Sequence, residues 1–273
     1  MTEQFEGQRE MRRRLALLIG GAIVSLSLVV ATLARGKSPA ETVPGANGVP
    51  SESPGQRAGG GCKDLPSAAD LKKLLKQAAG PEVGGLDAGH AEWAAVVDRK
   101  GEICAVAVST DDAAAAWPGS QAIAKAKAYT ANAFSTDMVP LSTARLYTMA
   151  QPGHSLYGAA NANPFNPACL QAPGANGGPK LCGGTIVFGG GVPLYKGKTR
   201  VGGLGASGDT ACADHEMAKR MRDKAGLNPP DGALADDIWF TKTDGPSIFA
   251  HPLCKNTWRN GKKIGEEPPA GAY

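Results

Sequence analysis

Gly202-Gly203-Leu204-Gly205-Ala206-Ser207-Gly208-Asp209-Thr210 is the stretch whose reading decides the fold. It joins a predicted strand to a predicted helix and follows a second glycine cluster, Gly189-Gly190-Gly191-Val192-Pro193. Glycines this dense bring backbone close to another backbone or to a ligand. Gly203, Gly205 and Gly208 spell the dinucleotide fingerprint, but that motif belongs to a parallel β-α-β unit with an acidic residue further on. Here Val192–Tyr195 and Thr199–Leu204 form a hairpin across Lys196-Gly197-Lys198, so the sheet is antiparallel. Asp231 falls in the turn Pro229-Pro230-Asp231-Gly232. A dinucleotide site is rejected. The glycines are read instead as space for tight strand–helix packing, with N–H groups at the helix start able to receive an anion.

Working outward, Ser67 caps a helix whose Leu71, Leu74 and Leu75 step by three and four. Trp93–Val97 and Ile103–Val108 make a hairpin across Asp98-Arg99-Lys100-Gly101. Residues 121–135 predict a helix with Ile123, Lys127, Thr130 and Phe134 on one face. Residues 140–149 predict a shorter helix, and 152–181 a long irregular excursion. Thr185–Phe188 predicts a buried strand. The last helix starts at Asp209 or Thr210, with Asp214 and Glu216 early, Lys219, Arg220, Arg222 and Lys224 late, and Gly226 as C-cap. Clustered hairpins with helices laid on them make an α+β domain, an antiparallel sheet flanked by helices.

The 273 residues are not all domain. Residues 1–14 read as a cytoplasmic tail ending in Arg12-Arg13-Arg14. Residues 15–34 carry no charge and are long enough for a transmembrane anchor. A cleaved signal segment is the rival reading. Residues 35–61 are a Pro/Gly/Ser-rich linker, 62–258 the domain, and 259–273 a disordered tail. The body is expected in a periplasmic or extracellular space, secreted if the leader is removed. Six cysteines, all beyond the apolar segment, agree with an oxidising compartment. A net charge of +4 points to no nucleic-acid partner.

Three blocks, Lys125-Ala126-Lys127-Ala128-Tyr129-Thr130-Ala131-Asn132-Ala133-Phe134, Gly189-Gly190-Gly191-Val192-Pro193-Leu194 and Val201–Thr210, resemble the GlcG/HbpS haem-binding family, related to the PduO C-terminal domain. The order and spacing match across most of the domain. The resemblance implies a profilin-like fold, assembly into a homo-oligomer, and binding of haem or a related tetrapyrrole for haem or iron capture or redox sensing. It places the helix of Lys127, Thr130 and Phe134 beside the turns of Gly190, Gly191 and Gly208. Lys127 would pair with a propionate and the Thr130 oxygen would approach iron. The plainer alternative has Lys127 snorkelling to water and Thr130 bonding the preceding helical turn. The loop residue His154 is a further candidate iron ligand, and Tyr147 or Tyr157 could do likewise.

Cys212 and His215, with His251 and Cys254, offer a Cys₂His₂ zinc site. The alternative is a Cys212–Cys254 disulfide. Cys169–Cys182 closes a Pro/Gly-rich loop, worth about 3 kcal/mol in the loop-entropy picture, and Cys62–Cys104 follows by elimination. No serine sits in a G-x-S-x-G elbow, and Asp111-Asp112 and Asp236-Asp237 read as turn or cap carboxylates, so no catalytic residue is assigned. The rival to a haem module is an oligomeric scaffold or partner-binding subunit that has lost its cofactor.

Overall fold

The computed structural model describes residues 61–170 and 180–269. The transmembrane or signal segment 15–34, its flanking tail and nearly all of the linker lie outside the described residues. Among the described residues no helix is long and apolar enough to cross a membrane.

Helix α1, Ala68–Ala78, begins with a reciprocal capping box between Ser67 and Asp70 and buries Leu71, Leu74, Leu75 and Ala78. Strands β1, Trp93–Asp98, and β2, Ile103–Val108, form the first hairpin. Helix α2, Ser120–Phe134, follows, and after it a four-residue helix α3, Ala159–Ala162. Strands β3, Gly191–Lys196, and β4, Thr199–Ser207, form the second hairpin. Helix α4, Ala211–Lys224, is capped by the Thr210 side chain on the Ala213 N–H. The short helix α5, Thr241–Asp244, and the ribbon β5, Thr257–Arg259, with β6, Lys262–Gly265, complete the chain.

The main sheet is antiparallel throughout, in the order β2-β1-β4-β3. Strand alternation divides it cleanly. Val96, Val192, Leu194, Leu204 and Ala206 face α1 and α4, meeting Leu71, Leu75, Met217 and Met221. Ala95 and Val97 face α2, meeting Ala124 and Ala128. The glycines of β4 complete the second face. A Cβ at Gly203 would overlap the Ala128 carbonyl oxygen, and one at Gly205 the Ala124 carbonyl oxygen. Helix α2 therefore lies directly on the strand backbone, alanine against glycine.

Four expectations change. The glycine stretch is central strand through Ser207, not a strand-to-helix turn, because its paired groups are used by both β1 and β3. Thr185–Phe188 is not a strand: the Ile186 N–H is taken by Thr130 Oγ1. The helix expected over 140–149 breaks into two 3₁₀ turns, Thr143–Leu146 and Thr148–Ala150. There Ser142 and Thr143 spend their hydroxyls on Asp236 and Gly191. The domain does not stop at residue 258: its continuation, expected as a disordered tail, pairs as β5–β6 across Asn260-Gly261.

Candidate functional site

Helix α2 carries Lys127 into the interior because Ala124 and Ala128 beside it are small enough to let the helix approach the sheet. Lys127 Nζ is fully buried and lies 2.5 Å from Asp214 Oδ2 of α4, 3.1 Å from the Ala206 carbonyl, and 5.0 Å from the Phe188 ring centroid. Asp214 Oδ1 accepts the N–H groups of Gly208 and Asp209. The N–H groups offered to an anion at the start of α4 are thus met from within the chain. Glu92, fully buried just before β1, completes the cluster, its carboxyl set against the Asp214 carboxylate. Burial and the Asp214 carboxylate push the Glu92 carboxyl well above its ordinary range, against the pull of Lys127. Burial also raises Asp214, with Lys127 opposing.

Lys127, Gly190 and Gly208 are therefore brought together, but around an internal ion pair. A Cβ on Gly190 would meet Lys127 Nζ at 2.6 Å, and one on Gly191 the Lys127 carbonyl at 2.6 Å. Thr130 is fully buried and donates to the Ala126 carbonyl. No slot for a macrocycle exists between these residues: the Lys127, Asp214 and Thr143 side chains and the adjoining backbone already fill it. The expected Lys127–propionate and Thr130–iron contacts do not fit this interior. Phe134 is half-buried at the end of α2, and His154 is exposed in the loop before α3.

The zinc alternative is corrected as well. Cys212 and Cys254 form a disulfide, as do Cys62–Cys104 and Cys169–Cys182, so the four-residue site has no thiolate to offer. His215 Nε2 instead lies 3.5 Å from Asp237 Oδ1. Burial works against ionising Asp237, yet His215, Lys219 and Asn260 hold it well below the usual carboxylate range.

Tyr147 is placed differently from the other candidates. It is half-buried, lies 5.1 Å from the His251 ring, centroid to centroid, and lines an open cleft of about 240 Å³ with Thr148, Phe240, Lys242, His251 and Leu253. His251 is fixed in this wall, with Nδ1 2.7 Å from the Pro252 carbonyl and Nε2 accepting the Gly189 N–H. Burial lowers its pKa to about 4. Cavities that enclose drug-sized ligands run to about 300–1,000 Å³, so this cleft fits the edge of a planar macrocycle. A phenol, a rim ammonium and apolar walls are a donor set suited to haem at that edge. Sequence reasoning missed Glu92 and took Asp214 only as a helix-dipole acid. Lysine on an alanine-lined helix face was the available signal for a buried counter-ion.

An antiparallel sheet with one helix seated on its glycines and two helices on its other face defines an α+β domain. The family described as "Haem degrading protein HbpS-like" matches residues 73–223, and the chain belongs to that family. Three solved structures are similar to it. The crystal structure of Klebsiella pneumoniae protein ORFY is 24% identical, covering 58% of this chain and 83% of that one, with a TM-score of 0.39. The PduOC:heme complex is 25% identical, covering 60% and 98%, with a TM-score of 0.41. A double mutant of HbpS from Streptomyces reticuli is 21% identical, covering 64% and 98%, with a TM-score of 0.36. No curated protein matches the chain.

Proposed function

We propose that this chain binds haem or a related tetrapyrrole, for haem or iron capture or redox sensing, without obligatory turnover. The site is the surface cleft beside Tyr147, with Tyr147 holding the iron and Lys242 pairing with a propionate. The carrying observation is that Tyr147, in a member of this haem-protein family, lines an open cleft, whereas Lys127 and Thr130 are consumed inside the fold. When bound, haem supplies the redox chemistry of its iron; the protein supplies the ligand, the ammonium and the apolar wall. The cleft covers only an edge, so the rest of the ring needs other cover, which agrees with a homo-oligomer. The charge-free segment 15–34 behind Arg12-Arg13-Arg14 supports a single-pass anchor with the domain periplasmic or extracellular.

Hemin titration of the full chain tests this reading. A saturable Soret band that Tyr147→Phe weakens by about tenfold or more is expected. No saturable change in the wild-type chain would remove the ligand. The closed glycine corner favours one second reading, a scaffold that has lost the cofactor, and that same blank titration is its expected result.

A further inference from the structure

The disulfide at the start of α4 sits in surroundings that suit a metal ion. The sulfurs of Cys212 and Cys254 and a ring nitrogen of His251 all lie within 4.8 Å of one another. A tetrahedral zinc ion, with Zn–S near ~2.3 Å and Zn–N near ~2.0 Å, spaces its ligand atoms by roughly 3.5–3.8 Å. Once the S–S bond is broken the sulfurs must move apart, and the 5.9 Å Cα–Cα separation of Cys212 and Cys254 leaves room for side-chain rotation to do this.

Three further features favour thiolates and an imidazole ligand here. Cys212 is the second residue of a fourteen-residue helix, where the helix dipole stabilises an anionic sulfur. The Cys212 N–H points at Cys254 Sγ, 3.1 Å away, so the second sulfur also has a donor aimed at it. His251 Nδ1 lies 2.7 Å from the Pro252 carbonyl and so carries the proton, which leaves the Nε2 lone pair for a metal. A carbonyl fixing the tautomer of the imidazole is the usual outer support of a histidine ligand. Ala144, Ile238 and Phe240 pack around the sulfurs as an apolar shell, while the His251 side of the group borders the open cleft.

We infer that reduction of the Cys212–Cys254 disulfide opens a binding site for a thiophilic divalent cation of the zinc class, held by Cys212, Cys254 and His251, with a water from the cleft as fourth ligand. The reductant is a dithiol. Its two electrons break the S–S bond, its two protons go to the two sulfurs, and it leaves as its own disulfide. The incoming ion then displaces both protons as it takes the thiolates. His251 gives up the Gly189 N–H to bind. His215, 3.5 Å from Asp237, is not a ligand. Zinc binding needs no haem, although His251 also walls the cleft beside Tyr147.

The test uses the haem-free full chain, oxidised and after dithiol reduction, with Zn²⁺ followed by equilibrium binding and Cd²⁺ by its ultraviolet thiolate charge-transfer band. The reduced chain is expected to take one equivalent of zinc and to develop the cadmium–thiolate band, the oxidised chain neither. Cys212→Ser with Cys254→Ser should lose this equivalent of zinc and its share of the cadmium band, leaving only what the other four reduced cysteines contribute. His251→Gln keeps the disulfide and hence the fold in the oxidised chain, and should weaken zinc by about tenfold or more after reduction. The inference is overturned if the reduced wild-type chain takes no zinc. An undiminished cadmium band in the double serine variant, or unchanged affinity in His251→Gln, would overturn it equally.

Discussion

Lys127 Nζ and Asp214 Oδ2 meet at 2.5 Å with both side chains essentially out of reach of water, tying the helix on one face of the sheet to the helix on the other. Removing one partner of such a pair leaves an uncompensated buried charge and costs about 3–5 kcal/mol. Lys127→Met and Asp214→Asn are each expected to destabilise by that amount in urea unfolding. The amide introduced by Asp214→Asn retains an oxygen for the Gly208 and Asp209 N–H groups, so the double variant should lose clearly less than the two single losses combined. Additive losses would mean that the two charges do not support one another.

Glu92 makes stability depend on pH in the direction opposite to most carboxylates. Burial and Asp214 raise its folded pKa well above the ordinary value of 4.5. The folded chain therefore holds a proton that the unfolded chain releases as pH rises past 4.5, and Glu92 lowers stability increasingly above that point. Glu92→Gln removes the effect. Relative to wild type, the variant should gain stability as pH rises above 4.5, levelling off once Glu92 ionises in the folded chain, measured as urea midpoints between pH 4 and pH 9. A difference that is flat across this range would show that Glu92 titrates normally.

The glycines of β4 make a steric prediction. Gly205→Ala drives a methyl group into the Ala124 carbonyl and against the Ala128 N at 2.6 Å, where both sides of the contact are backbone. Overpacking of this kind costs about 3 kcal/mol, seen as a fall in thermal midpoint. Gly119→Ala is the control: Gly119 has φ −69°, and nothing lies within 4 Å of its added Cβ. Equal losses at the two positions would contradict alanine-on-glycine packing as the reason for the motif.

Much of the scaffold was legible because its signals are local. Ser67 and Asp70, the turn Asp98–Gly101 and the alternation in Trp93–Val97 each declare an element within a few residues. The same holds for the even cysteines. The role of the glycines was half legible: close packing was foreseen and the resemblance set helix α2 beside the glycine turns, but that α2 lies on Gly203 and Gly205 within the strand itself was not. Nothing local to Gly203 names Ala128 as its neighbour. The hairpin signal Asn260-Gly261, with both residues at positive φ, was passed over because the lysine- and proline-rich flanks suggested a tail. For the site, the helix of Lys127 was identified but its chemistry was not, since the counter-ion Asp214 and the acid Glu92 arrive from distant strand and helix ends. The Tyr147 cleft depends on residues about a hundred positions further along the chain, and no spacing rule reports that.

Arg222 links the buried core to that cleft. Its guanidinium is fully buried, bonds Asp236 through two nitrogens at 2.7 and 2.8 Å, and donates to the Pro193 and Ala233 carbonyls. It thereby fixes the segment 233–237 that leads into Ile238 and Phe240, and Phe240 lines the cleft. Lysine keeps the charge but lacks the planar fork, so the substitution is not conservative here. Arg222→Lys should cost about 2 kcal/mol in urea unfolding, because two of the charge-assisted bonds have no replacement. If the cleft holds haem, the same change should also weaken hemin binding, although Arg222 touches no part of the cleft. Stability lost with hemin affinity unchanged would show that segment 233–237 does not position the Phe240 wall.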